Sequence, residues 1–471
     1  MSRRALQIPP LARLLALIPA LYLVLALAAA AVLIWATPPF MMADEQTHLM
    51  RANTLTFGPA GLHLAQRPDG AHMVGQFHQS VVDAAAPFNH VRFRAEEKAH
   101  AADFAAAAAP RLDARRGEHY VGEALNPAFY LPSAFAVAWG RHYGWTVLDT
   151  LYLARVLDAL ATVALGALAL SLAGRARIAI FAVLLLPMST ALMSAVSQDG
   201  PLLGTAALAA ALLSRAIAQG RPLKRWEALA YAAAIALVAL AKPPYAAFAL
   251  LLWLAPAQDR RAARLASLAA VLLPLAWALG LEAAHFAPPD PPGLASDPVR
   301  QAEALLAAPA RLVPLVQETF RLYGEHYADQ AIGVLGWLDT ALPLSFYPAA
   351  WTMLGIALAL TLGRLAPKTS GWAAVQALVI PLGLICAAGV FLALYLSWSA
   401  VGGPVIDGVQ GRYLLPIALM LPLALEGPGQ PWDAGPARRL IGWAAHLYVC
   451  AFPLASLAVL GWTLAQRFYM S

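Results

Sequence analysis

Apolar stretches of the length of a transmembrane helix recur along the whole chain and limit what it can fold into. A helix of about 20 apolar residues crosses the hydrocarbon core of a bilayer. Only 12% of the 471 residues are charged, against about 25% in soluble domains. A soluble core accommodates one or two such stretches, so their number predicts an all-α polytopic membrane protein.

The apolar runs predict about eleven transmembrane helices in a single transmembrane domain, residues 1–471. The run at 14–36 follows a basic start, but it is too long for a signal peptide and lacks a small-residue cleavage site, so we interpret it as a retained span. The predicted spans are 14–36, 150–173, 178–196, 201–217, 226–241, 244–257, 265–284, 344–363, 372–397, 412–425 and 440–464.

The run at 126–145 is shorter and contains Pro132. The charges of the short loops decide whether it spans the membrane. If it does not span, every basic short loop falls on the side of Arg3 and Arg4, which the positive-inside rule places in the cytoplasm. We therefore predict a re-entrant or interfacial helix at 126–145 on the opposite face. The residues that decide this are Arg175, Arg177, Arg221, Lys224, Arg225, Arg260, Arg261, Arg264, Arg364, Lys368, Arg438 and Arg439.

This topology leaves two long non-cytoplasmic loops, 37–149 and 285–343. The first is long enough for several amphipathic helices, and the second opens with a stiff Pro-rich linker at 286–293. The net charge of +6 follows from the positive-inside rule without a nucleic-acid partner. Seven of the eleven histidines lie between residues 48 and 119 of the first loop, but their spacing favours incidental histidines over a metal site. They are His48, His63, His72, His78, His90, His100 and His119.

Polar residues follow the first predicted span at helical spacing. Asp44, His48 and Arg51 would share one face of a helix that starts near residue 43, and Glu45 adds a second carboxylate. Two carboxylates beside a bilayer are costly unless they are solvated or used. The motif alone leaves two interpretations equally open, a chemical site and a helix N-terminus stabilised by the macrodipole.

Three more polar turns lie at the same predicted face. For Asp199, in the turn at 197–200, a helix cap is the better interpretation. Lys242 either snorkels to lipid headgroups or binds an anion. Arg412 presents a planar fork suited to phosphate, or it joins Tyr413 in an interfacial anchor belt.

Six motifs in this order resemble the bacterial membrane protein family called domain of unknown function 2142, over nearly the whole chain. Gln198 and Ala128 depart from the family, which more often has proline there. The motifs are Pro38-Pro39 with Asp44-Glu45, His48 and Arg51; Asn126-Pro127 with Tyr130-Leu131-Pro132; Ser197-Gln198-Asp199; Lys242-Pro243-Pro244-Tyr245; Gly336-Trp337-Leu338-Asp339; and Gly408-Val409-Gln410-Gly411-Arg412-Tyr413.

That family in turn resembles the GT-C membrane glycosyltransferases by fold-level analogy. The resemblance implies a multi-pass protein of the bacterial inner membrane that transfers a sugar from a polyprenyl-phosphate donor, with inversion, to a cell-envelope glycan or lipid-linked acceptor in the periplasm. Asp44 would be the general base, with Glu45 as second choice. No cofactor or metal is required by this set, because Lys242 and Arg412 would bind the lipid phosphate.

The resemblance also implies a set of residues that line the substrate cavity. Trp337 and Trp398 would stack on sugar or isoprenoid. The remaining predicted binding residues are His48, Arg51, Asn126, Tyr130, Asp199, Tyr245, Asp339, Gln410 and Tyr413.

Two other functions compete with sugar transfer. A flippase or transporter for polyprenyl-linked glycans predicts ionisable residues deep within spans. Arg155, Asp158 and Glu282 all lie near span ends, which argues against ion-coupled transport. A non-catalytic assembly component for such glycans stays open, as does a polymerase or ligase that uses the same class of donor.

Overall fold

The computed structural model describes residues 11–67, 70–120, 126–284, 297–362, 371–427, 432 and 435–470, and the Pro-rich linker at 286–293 lies outside them. The fold is mostly helical. The helices are α1 Leu11–Ala36, α2 Glu45–Leu55, α3 Ser80–Ala85, α4 Ala101–Ala107, α5 Leu131–Tyr143, α6 Val147–Leu172, α7 Arg177–Leu184, α8 Pro187–Met193, α9 Asp199–Ala218, α10 Arg225–Ala241, α11 Leu251–Leu254, α12 Arg260–Ala283, α13 Pro298–Ala307, α14 Leu312–Gly333, α15 Phe346–Thr361, α16 Trp372–Trp398, α17 Leu415–Met420 and α18 Pro436–Phe468.

Within the described residues, six helices are long and apolar enough to cross a bilayer: α1, α6, α9, α12, α16 and α18. The other predicted spans fall on shorter or interrupted helices. The span at 178–196 is divided into α7 and α8 at Pro187, which takes the first position of α8. Pro243–Leu250 is a 3₁₀ helix that begins with two prolines, which lack the amide donor that a helix interior uses. The count of eleven crossings stays a prediction.

The first long loop contains a three-stranded antiparallel sheet, so the all-α prediction is wrong for this segment. Its strands are β1 Leu62–Arg67, β2 Gly70–His78 and β3 Arg116–Tyr120, in the order β1-β2-β3. A second pair, β4 Val334–Leu335 and β5 Thr340–Ala341, is two residues long on each side. The larger sheet gave no clear signal because β2 is rich in Gly, Ala and His, residues without strong β-propensity.

The run at 126–145 forms a 3₁₀ turn followed by α5, a helix of 13 residues. At about 1.5 Å per residue this helix is too short to cross a bilayer. It ends at Gly144, whose φ of 65° is the left-handed conformation common after a helix. The segment is therefore helical and non-spanning by length, and its depth at the membrane surface stays a prediction.

Two histidines, His78 buried and His119 partly buried, join the sheet to α2. The Nδ1 atom of His78 lies 2.9 Å from Oδ1 of Asn53, and Nε2 of His119 lies 2.9 Å from Oγ1 of Thr54. Burial lowers the pKa of both imidazoles to about 4. A pKa below the unfolded value means that the unfolded chain binds more protons than the folded one. The stability that the two neutral histidines contribute is therefore present above pH 6.5 and lost as pH falls through 4.

We expect the segment 62–120 to open more readily as pH falls from 6.5 towards 4. At pH 5, keeping His78 neutral costs about 2 kcal/mol. Limited proteolysis of the purified protein between pH 7.5 and 5 measures this loss, and His78→Gln should flatten the profile. His63 has a side chain 37% exposed, so His63→Gln is the matched control. Identical profiles for wild type and His78→Gln would contradict the assignment.

Candidate functional site

Glu45 is locked in a buried ion pair that fixes the end of α1 to α6. Arg155 donates from Nε and Nη2 to the two carboxylate oxygens of Glu45 at 2.7 and 2.6 Å, and both side chains are fully buried. Nη1 of Arg155 also donates to the carbonyl of Ile34 at 2.9 Å. The amide of Phe40 donates to Glu45 at 3.0 Å. No substrate reaches this carboxylate, so its assignment as second-choice base is corrected to a structural role.

Asp44, one residue earlier, lies in the opposite environment. Its side chain is 45% exposed, and although Asp44 stands at the N-cap position of α2 it makes no side-chain cap hydrogen bond. Its carboxylate instead accepts a hydrogen bond from Nη2 of Arg412 at 2.8 Å. The residue has a φ of 60°, a left-handed conformation that is costly for most side chains and concentrates at functional sites.

Arg412 continues into a chain of alternating charges. Its Nε lies 3.6 Å from Oδ2 of Asp199, and Lys242 donates to Oδ1 of Asp199 at 2.9 Å. The ammonium of Lys242 also lies 4.1 Å from the ring centroid of Tyr413. The cap interpretation of Asp199 is therefore wrong, since its carboxylate holds two cations at the first residue of α9.

These charged groups come from four distant parts of the sequence: the turn before α2, the start of α9, the end of α10 and the 3₁₀ turn at Gly411–Leu414. The sequence predicted that they meet, and the structure brings them together. Lys242 has a side chain only 19% exposed, so it is held within the protein rather than snorkelling to headgroups.

The electrostatics keep Asp44 ionised and His48 neutral. Burial opposes the charge on Asp44, but Arg412 outweighs it and holds the pKa of the carboxyl below its usual value. Burial, reinforced by the charge of Arg51, lowers the pKa of His48 to about 3. The Nδ1 atom of His48 lies 2.6 Å from the hydroxyl of Tyr130, which also accepts from Nη1 of Arg51 at 3.4 Å.

Two further predicted residues brace the site. The carboxamide of Asn126 accepts from the amide of Ala128 at 3.0 Å and donates to the carbonyl of Leu237 at 2.7 Å. It thus ties the turn before α5 to α10. Tyr245 donates its hydroxyl to the carbonyl of Tyr413, which fixes the turn that carries Arg412.

Trp337 and Asp339 lie on the flank of the site, where they position each other. The indole of Trp337 donates to the carbonyl of Phe40 at 3.1 Å. Asp339 accepts from Arg467 of α18 at 3.0 Å. Trp398 is 42% exposed, and within the described residues it makes no hydrogen bond or cation–π contact with the charged cluster.

Arg92 is a residue that sequence reasoning missed. Its guanidinium lies 3.3 Å from the ring centroid of Trp337, a cation–π contact that holds the group flat on the indole. Burial lowers the pKa of Arg92, and the charges of Asp44 and Asp339 act against that effect, so Asp44 lies within its electrostatic reach. Arginines are frequent in the first loop, and no motif separated this one.

Gly411 lets the turn that carries Arg412 approach α14. Its amide donates to Oε1 of Gln330 at 2.8 Å. A Cβ at this position would overlap the carbonyl oxygen of Tyr327. The neighbouring Gln410 has a buried Oε1 without a hydrogen-bond partner in the described part of the chain.

Gly411→Ala should therefore destabilise the protein, because the overlap is with the backbone of α14, which cannot rotate away. We expect a clear fall in thermal unfolding temperature in detergent, on the scale of overpacked cores, about 1–3 kcal/mol. Gly355 lies in α15, where an alanine Cβ would have nothing within 4 Å. Gly355→Ala is the control and should hold or raise stability. Equal behaviour of the two variants would contradict the tight approach at 411.

An apolar groove of about 590 Å³ begins directly after the charged turn. Leu414 and Leu415, two and three residues beyond Arg412, line it together with side chains of α14, α15 and α16. Phe320, Tyr327 and Trp351 give its wall aromatic surface. The groove and the cluster of charges thus share the segment 411–424.

Among the described residues, no group of three or more His, Cys, Asp or Glu is arranged to hold a metal ion.

The comparisons with known proteins place the chain in one family. None of the curated proteins and none of the solved structures compared with the chain matches it. The model of a family described as "predicted membrane protein (DUF2142)" matches residues 27–421, most of the chain, and the protein therefore belongs to that family.

Proposed function

We propose that this protein is a membrane glycosyltransferase with about eleven spans on the GT-C plan. It would transfer a sugar from a polyprenyl-phosphate donor to a cell-envelope glycan or lipid-linked acceptor. One observation carries the proposal: the accessible carboxylate of Asp44 touches the cation of Arg412, and Leu414 and Leu415, two and three residues beyond that cation, line an apolar groove. A lipid phosphate needs the cation and the groove together, and sugar transfer needs the carboxylate as well.

The reaction would be a single inverting displacement. The acceptor hydroxyl oxygen attacks the anomeric carbon, and the new C–O bond forms as the bond from that carbon to the phosphate oxygen breaks. The electron pair leaves with the polyprenyl phosphate. Asp44 accepts the hydroxyl proton, which suits a group kept ionised.

Arg412 and Lys242 would stabilise the charge that grows on the leaving phosphate. Within the protein these cations are paired with Asp44 and Asp199. Phosphate oxygens would compete for Arg412 and weaken its hold on Asp44. The pKa of Asp44 would then rise, so donor binding would make this carboxylate a stronger base.

The periplasmic placement rests on the charge of the loops. The cluster lies where α1 and α10 end and where α9 begins. The basic residues between spans, Arg175 and Arg221 among them, lie at the other ends of those helices. By the positive-inside rule the cluster would face the periplasm of a bacterial inner membrane.

The first test is a comparison of surface glycans with and without the gene, by mass and linkage analysis, which identifies the sugar. Transfer is then assayed with purified protein in lipid nanodiscs, with polyprenyl-phosphate and polyprenyl-diphosphate donors of that sugar. Loss of the glycan without transfer in vitro would favour a flippase or an assembly component instead.

Removing a phosphate-binding cation should weaken donor binding. Charge-assisted hydrogen bonds contribute about 1.5–3 kcal/mol, so Lys242→Ala or Arg412→Ala should raise the donor KM by about 10- to 100-fold. Arg300 is a solvent-exposed arginine of α13, its side chain 78% exposed, and Arg300→Ala should leave the KM unchanged. An unaltered KM in both site variants would refute the phosphate assignment.

A further inference from the structure

We propose that the donor carries its sugar through a diphosphate rather than a monophosphate, an inference that rests on the proposed function. The charge around Asp44 and the number of guanidinium donors left without partners both exceed what one phosphate needs. Two arginines outside the Arg412–Lys242 pair, Arg51 and Arg92, supply the excess.

Arg92 enters the site from the first loop. Its guanidinium carbon lies 3.3 Å from the ring centroid of Trp337, and within the described part of the chain the guanidinium makes no ion pair. Its Nε is buried and has no hydrogen-bond partner among the described residues. A planar, always charged group held in this way is suited to binding phosphate oxygens in its plane.

Arg51 enters from α2 on the side of His48. Its only hydrogen bond within the described chain is the long one of 3.4 Å from Nη1 to Tyr130, and its Nε is buried without a partner. Nε of Arg412 is in the same state, in a side chain only 4% exposed. Buried donors are nearly always paired in folded proteins, so three such atoms around one site indicate an absent acceptor.

The charges around the site indicate how many negative charges that acceptor carries. Lys242 and Arg412 contact Asp44 and Asp199 directly. Arg51 acts on His48 together with these two carboxylates, and Arg92 lies within electrostatic reach of Asp44. Four cations and two carboxylates leave an excess of two positive charges.

The neighbouring ionised groups do not change this sum. Glu45 and Asp339 are each paired with an arginine of their own. Asp158 accepts a hydrogen bond from Ser133 at 2.5 Å. Among the described residues it makes no ion pair with any of the four cations, so it is left out of the sum.

A sugar–diphosphate–polyprenol diester carries two negative charges, whereas the monophosphate diester carries one. Only the diphosphate matches the excess. On transfer, the bond from the anomeric carbon to the nearer phosphate oxygen breaks and its electron pair stays on the diphosphate. The released polyprenyl diphosphate gains one further negative charge, and the acceptor proton passes to Asp44.

The test measures binding of farnesyl diphosphate and farnesyl monophosphate, each as its methyl ester so that they carry the two and one negative charges of the two donors, to the full chain in nanodiscs. We expect the diphosphate to bind at least tenfold more tightly. Arg51→Gln and Arg92→Gln should remove most of that preference and change monophosphate binding less than threefold. Arg300→Gln should leave both affinities as in the wild type.

The outcomes separate this inference from the proposed function. Equal binding of the two lipids, or an unchanged preference in both arginine variants, would overturn the diphosphate and leave a lipid-phosphate site intact. Binding of neither lipid would count against the proposed function itself. Inorganic diphosphate that bound as tightly as farnesyl diphosphate would show a site for free anions and overturn the lipid-linked donor.

Discussion

Asp44→Asn is expected to abolish sugar transfer while the protein still folds and still binds its donor. The amide cannot accept the proton of the acceptor hydroxyl, and loss of a positioned general base lowers kcat by about 10²- to 10⁴-fold. Asn tolerates the left-handed conformation that this position requires, a φ of 60°. The fall should therefore appear in kcat, measured with saturating donor in nanodiscs.

A matched control for this variant is Asp297→Asn. Asp297 is the exposed cap of α13, where Asn caps equally well, and it lies outside the charged cluster. Its kcat should equal that of the wild type. Sugar transfer that survives Asp44→Asn at more than a tenth of the normal rate would rule out Asp44 as the base.

Glu45→Gln is expected to produce a different failure, a protein that does not accumulate in folded form. The change leaves the guanidinium of Arg155 fully buried without its counter-charge. Breaking a buried pair in this way costs about 3–5 kcal/mol, a large part of the stability of a typical domain, about 5–15 kcal/mol. Fluorescence-detected size-exclusion chromatography with a heating step measures the loss.

The double variant Glu45→Gln with Arg155→Met separates charge from packing. Removal of both charges should restore much of the thermal stability, because no uncompensated ion remains buried. Rescue would be incomplete, since the amide of Phe40 and the carbonyl of Ile34 lose polar partners. A Glu45→Gln protein with normal stability and no activity would reverse the roles given to the two neighbouring carboxylates.

The sequence predicts the membrane class and the gathering of the site for the same reason. Spans alternate in direction, so loop charges decide which turns share a face, and this alternation alone assigns Asp44, Asp199, Lys242 and Arg412 to one end of the bundle. The helix lengths were less predictable. Pro187 interrupts one predicted span, and Pro243 opens a 3₁₀ helix at the start of another.

The pairing of side chains could not be read from the sequence. Asp44 and Glu45 are adjacent and chemically alike, yet Asp44 is 45% exposed beside Arg412, whereas Glu45 is paired with a buried arginine 110 residues away. That difference depends on the backbone turn at 38–44, which only tertiary packing fixes. Arg92 was missed for the same reason, because what distinguishes it from other arginines is its cation–π contact with the ring of Trp337.

The close approach at Gly411 connects the charged turn to the helix that lines the apolar groove. Its amide is bonded to Gln330, and α14, which carries Gln330, also supplies Phe320 and Tyr327 to the apolar groove. Under the proposed function, a ligand bound to Arg412 would act on α14, and a lipid tail that widened the groove would act on Arg412. Lipids that share a headgroup but differ in isoprenoid length would then differ in affinity through the position of one helix.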